Sequence, residues 1–303
     1  MVIDVHGHYG PKKLDSTFPE LFQNASGHPE GLYDMDRQIE DMNKAGIDQR
    51  WISVSPYLMH FDAENSSEWC RCVNDAIIND SKPYGDRFRV LGNLPMKHIE
   101  ETKKELERIM EDPLVVGVQI ASNIAGTDLN DDSLETFWQT AEKLGAFILI
   151  HPQYQISDQR LSKYYMRNIV GNPLDTTLSA INMMASGVLE RYPGLKICLA
   201  HGGGYMPFAI SRICHGAAVR PELAHVKTPM KDLAKILYYD TVVHDPDCLK
   251  FAADQMGVGH MLLGTDYPYD MGVEEPLELL RLTNLPAADI EKIAGDNALG
   301  LLK

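Results

Sequence analysis

Apolar runs of strand length recur along the chain. They are separated by longer stretches in which apolar residues return every three or four positions. The runs near 2–6, 50–54, 88–93, 115–120, 146–150, 196–200, 236–240 and 261–265 are rich in Val, Ile, Leu, Tyr or Phe, and several stop at Gly or Pro. That length and composition predict buried strands. Between them, "DMDRQIEDMNKAG" (34–46), "HIEETKKELERIMED" (98–112) and "SLETFWQTAEKLG" (133–145) carry helical spacing. The last follows Asp131 and Asp132, which suit a helix N-cap, and stops at Gly145.

Strands alternating with helices predict parallel βαβ units, and eight strands is the number that closes a TIM-type barrel. The expected fold class is α/β, a (β/α)8 TIM-type barrel forming a single domain over 1–303. Such a barrel takes ~250 residues. The surplus falls in two long segments, near 9–33 and 152–173, read as loop insertions. No linker divides the chain, and it contains no short repeat. The competing open doubly wound sheet wants a GxGxxG loop after the first strand, and that motif is missing there.

The ends of the apolar runs carry the chemistry. His6 and His8 stand two apart in "VIDVHGHYG", so on a strand they project to the same side. Asp4, two before His6, shares that face by the same alternation and reads as an ordinary polar position or a support for the histidines. The fifth run ends at His151, the sixth at His201, and Asp266 follows the eighth. In a closed parallel barrel the carboxyl ends of the strands meet at one mouth, where catalytic groups collect. These five residues are therefore candidates for one site. Imidazole nitrogen and carboxylate oxygen suit Zn²⁺, and a catalytic ion keeps a position for water, whose pKa it lowers from 15.7 towards ~7. Not all five need bind the ion, because the water also needs a proton acceptor, and histidine titrates in the right range. The glycines after His201 leave room for substrate or water beside it. Asp266 has a blander reading as a turn-capping carboxylate in "GTDYP". "HGGG" (201–204) alone suggests the oxyanion segment of some lipases, but those require GxSxG, which this chain lacks. Cys198, three before His201, falls on the opposite strand face and reads as core.

Charge narrows the partners. Lys plus Arg number 28 against 43 Asp plus Glu, a formal net charge of −15. So acidic a chain repels nucleic-acid backbones and anionic membranes, and neither is expected as a partner. A small carboxylate substrate then needs a local positive group. Nothing approaches a span of ~20 apolar residues, and no basic leader precedes an apolar segment. Five scattered cysteines fit neither a disulfide framework nor a zinc ribbon. A cytoplasmic protein is expected.

Taken together, HxH on the first strand, "IHP" (150–152), "AHGGG" (200–204) and "GTDYP" (264–268) resemble the amidohydrolase superfamily. "HGGGYMPFAISRICHG" (201–216), "VVHDPDCLK" (242–250), "GTDYPY" (264–269), "LPMKHIEE" (94–101) and "GVQIASN" (117–123) are similar to its branch of metal-dependent decarboxylases that contains aminocarboxymuconate semialdehyde decarboxylase. The resemblance spans nearly the whole chain. It implies one divalent metal, zinc first with manganese or another divalent ion as alternatives, held by His6, His8, His151 and Asp266, and no organic cofactor. His201, with Asp266, would be catalytic, His201 handling the proton of the metal-bound water. The implied reaction is non-oxidative decarboxylation of a small unsaturated or aromatic acid: hydroxide adds beside the carboxylate, the adjacent carbon is protonated, CO₂ departs and the double bond returns. Arg212 matches a family arginine that reaches into the neighbouring subunit's site to hold a substrate carboxylate, which implies a homodimer; by itself Arg212 reads equally as a helix-face ion pair.

Two departures stand out. The family's second arginine, in the loop after the first strand, has no counterpart, since 9–33 offers only Lys12 and Lys13, point charges rather than planar forks. The family tryptophan after the third histidine is replaced near Asn168 in "YYMRNIVG" (164–171). The alternative function is a hydrolase or hydratase acting on a lactone, amide or unsaturated acid with the same metal. A third class, a binding protein with a structural ion, would fill every metal position with protein ligands.

Overall fold

The computed structural model describes residues 1–19, 29–60, 63–153 and 159–302; 20–28 of the first expected insertion and 154–158 of the second lie outside the described residues. Eight strands form one parallel sheet in chain order. They are β1 (Ile3–Tyr9), β2 (Gln49–Val54), β3 (Phe88–Gly92), β4 (Val115–Ala121), β5 (Phe147–His151), β6 (Lys196–Leu199), β7 (Tyr238–Asp240) and β8 (Met261–Leu262). The segment after β8 returns to β1 and closes the barrel. Val5 N donates to Leu263 O at 2.9 Å, Asp266 N to His6 O at 2.8 Å and His8 N to Tyr267 O at 2.8 Å.

Helices cover the outside, among them α1 (Met35–Ala45), α2 (Ser66–Ser81), α3 (Ile99–Ile109), α4 (Glu135–Leu144), α5 (Asn172–Ala185), α6 (Met206–Val219), α7 (Pro246–Met256) and α8 (Pro276–Leu282). Their ends follow local chemistry. Asp34 caps α1 by accepting from Arg37 N, and Gly46 ends it at φ 72°. Asp131 accepts from Ser133 N ahead of α4, and Gly145 ends that helix at φ 63°, where an L side chain would be strained. Among the described residues no helix is long and apolar enough to cross a membrane.

The barrel is filled from below. Ile3, Val5, Trp51, Leu91, Phe147, Leu149, Cys198 and Leu262 pack in its interior, with Ala298 and Leu301 beneath. Trp51 and Phe147 meet edge to face at 4.8 Å. This plug leaves only the upper, carboxyl-end layer for polar side chains.

One irregularity sets the site. Asp4 pairs with Arg50 but Gly7 with Ile52, so three residue steps on β1 match two on β2. Val5 and His6 thus share the place opposite Trp51, a β-bulge. Strict alternation would put Ile3 and Val5 inside and His6 and His8 outside. The bulge resets the parity, and the histidines follow Val5 into the lumen. Asp4 does not share their face, as alternation alone had suggested. It lies on the outer side, buried against Arg50 with Oδ2 2.7 Å from Nε.

Candidate metal centre

His6, His8, His151 and Asp266 meet above the apolar plug, all buried, each offering one ligand atom within 4.8 Å of the others. His6 Nε2 is 3.2 Å from His8 Nε2 and 3.3 Å from Asp266 Oδ1, and His8 Nε2 is 3.0 Å from the same oxygen. Ligands ~2.0–2.1 Å from one ion in tetrahedral array lie about 3.3 Å apart. Two imidazole nitrogens at such a distance repel unless a proton or a cation lies between them. Donor type, burial and spacing all fit a divalent cation.

Each imidazole is turned by a bond on its far nitrogen. His6 Nδ1 meets Asp240 Oδ2 at 2.6 Å. His8 Nδ1 meets Ser53 Oγ at 3.0 Å, and Ser53 spends its own proton on Gln119 Oε1 at 2.6 Å, so His8 is the donor. His151 Nδ1 meets the Pro152 carbonyl at 3.0 Å. With Nδ1 engaged in these bonds, the neutral form of each ring turns an Nε2 lone pair inward, the arrangement that fixes a histidine's tautomer toward a metal.

Asp240 is the residue the sequence reading passed over. It is fully buried at the end of β7 and accepts from His201 N at 3.0 Å, Gly202 N at 2.7 Å and Val242 N at 3.0 Å besides orienting His6. The signal was available: Asp240 closes the seventh apolar run, at the same end of the barrel as the others. Ser53 and Gln119 gave no such signal, because a mid-strand serine or glutamine is common in any sheet.

The electrostatics divide the group. Burial alone would lower the pKa of His6, but its bond to Asp240 and the nearby Asp266 charge outweigh this and raise it. His8 is lowered by burial. His151 is held well below the ordinary range by burial and then by His201 and His6. Burial would raise Asp266; its bond from His201 and the charge of His6 instead pull it well below the usual carboxylate value. At neutrality the cluster therefore presents an anionic Asp266 and unprotonated His8 and His151.

His201 is wired differently. Its Nε2 lies 3.5 Å from Asp266 Oδ2, the oxygen less engaged with His6 and His8. Its Nδ1 is buried without a hydrogen-bond partner. It sits just past β6, at φ 57°, and Asp266 shares that left-handed conformation at φ 57°. Non-glycine residues adopt it at some cost, and such strain gathers at functional sites. The glycines that follow do not open space for substrate, as the sequence had suggested. A Cβ at Gly203 (φ 73°) would strike the Tyr239 ring, and one at Gly204 (φ 62°) the Pro173 carbonyl. They let the backbone turn tightly against the protein's own core. Cys198 is buried in the barrel plug, as expected of a core residue. Asp266 joins the cluster and not a helix cap.

A cavity of about 40 Å³ lies over the cluster, reached by His151, His201 and Asp266 from below and walled by Tyr57, Tyr165 and Asn172 among others. A larger one of about 620 Å³ lies outside the barrel, between α1 and the 265–275 segment. Its cations are already paired, Arg37 and Lys44 with Asp41 and Arg50 with Asp4, whereas the small cavity opens onto the cluster. Arg212 is exposed on α6 and does not line this chain's cavity.

The comparisons with known proteins agree with this geometry. The amidohydrolase family model matches residues 3–303. Over 275 residues, 89% of this chain and 77% of the relative, the chain is 35% identical to a 2-amino-3-carboxymuconate-6-semialdehyde decarboxylase of Dictyostelium discoideum. In fold it is similar to the crystal structure of a 5-carboxyvanillate decarboxylase from Sphingomonas paucimobilis, with TM-score 0.87 and 22% identity over 99% of this chain and 98% of that one. It is also similar to a dihydroxybenzoic acid decarboxylase from Polaromonas sp. JS666 with bound manganese and 2-nitroresorcinol, with TM-score 0.82 and 23% identity over 99% and 96%.

Proposed function

We propose that this chain, which belongs to the amidohydrolase family, is a metal-dependent carboxy-lyase that removes the carboxyl group of a small unsaturated or aromatic acid as CO₂ without oxidation. The observation that carries the reading is the convergence of four ligand side chains beside a fifth group, His201, whose Nδ1 has no hydrogen-bond partner. The named activities of the relatives favour decarboxylation over hydrolysis.

His6, His8, His151 and Asp266 hold the ion, zinc first and manganese second. When bound, it supplies the positive charge that the acidic chain otherwise lacks at this mouth and makes a neighbouring solvent molecule acidic. Asp240, Ser53 and the Pro152 carbonyl keep the three imidazoles aimed. His201 moves the proton, its Nδ1 having no hydrogen-bond partner to give up. The bond between substrate carbon and carboxyl carbon breaks, its electron pair stays on the substrate, and that carbon takes the proton from His201 as CO₂ leaves. Arg212 holds a substrate carboxylate in the site of a second copy, which makes the working unit a homodimer. Five free thiols suit a reducing cytoplasm.

The test is to load the protein with Zn²⁺ or Mn²⁺, offer hydroxybenzoates and muconate-type acids, and follow CO₂ together with product mass. Loss of CO₂ supports the reading. Several acids turned over with gain of water and no CO₂ would move the protein to the hydrolase or hydratase class, which uses the same parts. For the dimer, mixing Arg212→Ala with His201→Asn protein should restore part of the activity that each lacks alone.

A further inference from the structure

Two of the three ligand imidazoles are turned by side chains of other strands, His6 by Asp240 and His8 by Ser53. His151 is turned by backbone: its Nδ1 meets the carbonyl of the next residue, Pro152, at 3.0 Å. That carbonyl lies just past the end of β5, and the pairing of β5 with β4 stops at His151. The sheet therefore does not hold the Pro152 carbonyl in place, although the ring depends on it.

Asp175, in the first turn of α5 and 7% exposed, supplies the hold. Its carboxylate accepts from Ser122 Oγ and, at 3.4 Å to either oxygen, from Asn123 Nδ2. Burial pushes its pKa up, and the bonds from Ser122 and from the Gln153 backbone amide pull it part of the way back. These partners all donate, which suits a carboxylate that only accepts. The Gln153 N–H and the Pro152 C=O belong to one peptide unit. That unit is planar and trans, so its two polar groups point in opposite directions. Anchoring the N–H on one side fixes where the carbonyl points on the other, and the carbonyl fixes the ring. A negative charge at the N–H also polarises the peptide and makes its oxygen a better acceptor. Ser122 adds a second tie: its N donates to His151 O at 3.0 Å while its hydroxyl donates to Asp175.

We infer that Asp175 is the positioning residue for His151, acting through the Pro152–Gln153 peptide as Asp240 acts directly on His6. This rests on the reading of His151 as a metal ligand. It also joins α5, whose Asn172 walls the cavity, to the ion site.

The experiment uses the full chain with three readouts. Competition with a chelator gives Zn²⁺ affinity, nitrogen NMR of the metal-free chain gives the His151 tautomer, and calorimetry gives the metal-free Tm. Wild-type protein should show His151 protonated on Nδ1 and a Gln153 amide protected from hydrogen exchange. Asp175→Ala should lower Zn²⁺ affinity about 10–100-fold and mix the tautomers of His151 while leaving that of His8 alone. Asp175→Asn keeps one acceptor oxygen and should recover part of the affinity. Ser122→Ala removes a bond from the same carboxylate but spares the peptide, so it should lower Tm and leave the His151 tautomer as it was. Wild-type affinity or an unmixed His151 tautomer in Asp175→Ala overturns the inference. So does an equal loss of affinity in Ser122→Ala at an equal drop in Tm, which would make the role of Asp175 merely structural. Should Asp175→Ala not fold, Asp175→Asn carries the same comparison, and a wild-type Gln153 amide that exchanges as fast as exposed loop amides overturns the inference without any variant. Wild-type protein that binds no Zn²⁺ sinks the metal-site reading, whereas Zn²⁺ held equally by wild type and Asp175→Ala sinks this inference alone.

Discussion

His201 and Asp240 sit within a few ångströms of the same cluster and predict opposite phenotypes. His201 touches no ligand nitrogen, so His201→Asn should keep metal near stoichiometric while turnover falls by about 10²–10⁴, the usual worth of a general acid or base. Metal analysis beside a CO₂ assay separates the two. Asp240 acts through His6. Asp240→Asn should weaken metal affinity about 10–100-fold, as losses of groups behind a ligand do, measured by competition with a chelator. The proton competes with the cation for Nε2 of His6. Because the pKa of His6 is raised, its protonated form is favoured below 6.5 and is lost only as pH climbs through the higher folded value. Metal affinity should therefore fall on acidification starting above pH 6.5, and Asp240→Asn should move that fall to lower pH. The ligands themselves were legible in the sequence because histidines at strand ends are conspicuous. Asp240 closes the seventh run at the same end of the barrel, but its role shows only once its partner 234 residues away is seen.

At the level of elements, the first strand repays attention. Its bulge is clamped by Asp4, whose Oδ1 accepts from His6 N at 3.1 Å and Thr265 N at 3.0 Å, and whose Oδ2 accepts from Thr265 Oγ1 at 2.6 Å and Arg50 Nε at 2.7 Å. One carboxylate thus ties the bulged strand to the segment that presents Asp266. Removing it leaves Arg50 buried without its counter-charge. Asp4→Asn should cost about 3–5 kcal/mol of stability, seen as a lower denaturation midpoint, and should loosen metal binding even though Asp4 touches no metal ligand's side chain. Apolar runs located every barrel strand to within a few residues, yet alternation along β1 could not reveal its inserted step. That is why His6 and His8 were rightly placed together and Asp4 wrongly placed with them. The helix of 133–145 was legible down to its caps, because Asp131 and Gly145 have local reasons to be where they are; the caps of 34–46, Asp34 and Gly46, came only with the structure.

For the molecule as a whole, ligands from β1, β5 and the segment after β8 converge on one ion site, so binding there links distant parts of the barrel. Anything that binds only the folded state stabilises it by mass action. Dialysis against a chelator should lower Tm by several degrees and added Zn²⁺ or Mn²⁺ should restore it, read by calorimetry at fixed protein concentration; a Tm indifferent to metal would count against a folded-state site at these four residues. The barrel itself was legible as a count of eight runs. Its closure was not, because the returning segment after Leu262 makes its bonds to β1 beyond the last regular strand, where no apolar pattern announces them.

That closure has a consequence for the order of synthesis. His8 and Asp266 stand 258 residues apart yet meet side by side. At about 5–20 residues per second, the first imidazoles leave the ribosome roughly 10–50 s before the carboxylate that completes their coordination. Throughout that interval the nascent chain can expose two metal-seeking rings with no cage around them. Specific metal uptake is therefore expected only after the last strand emerges, and a ribosome stalled short of it should yield a chain that takes up no ion specifically.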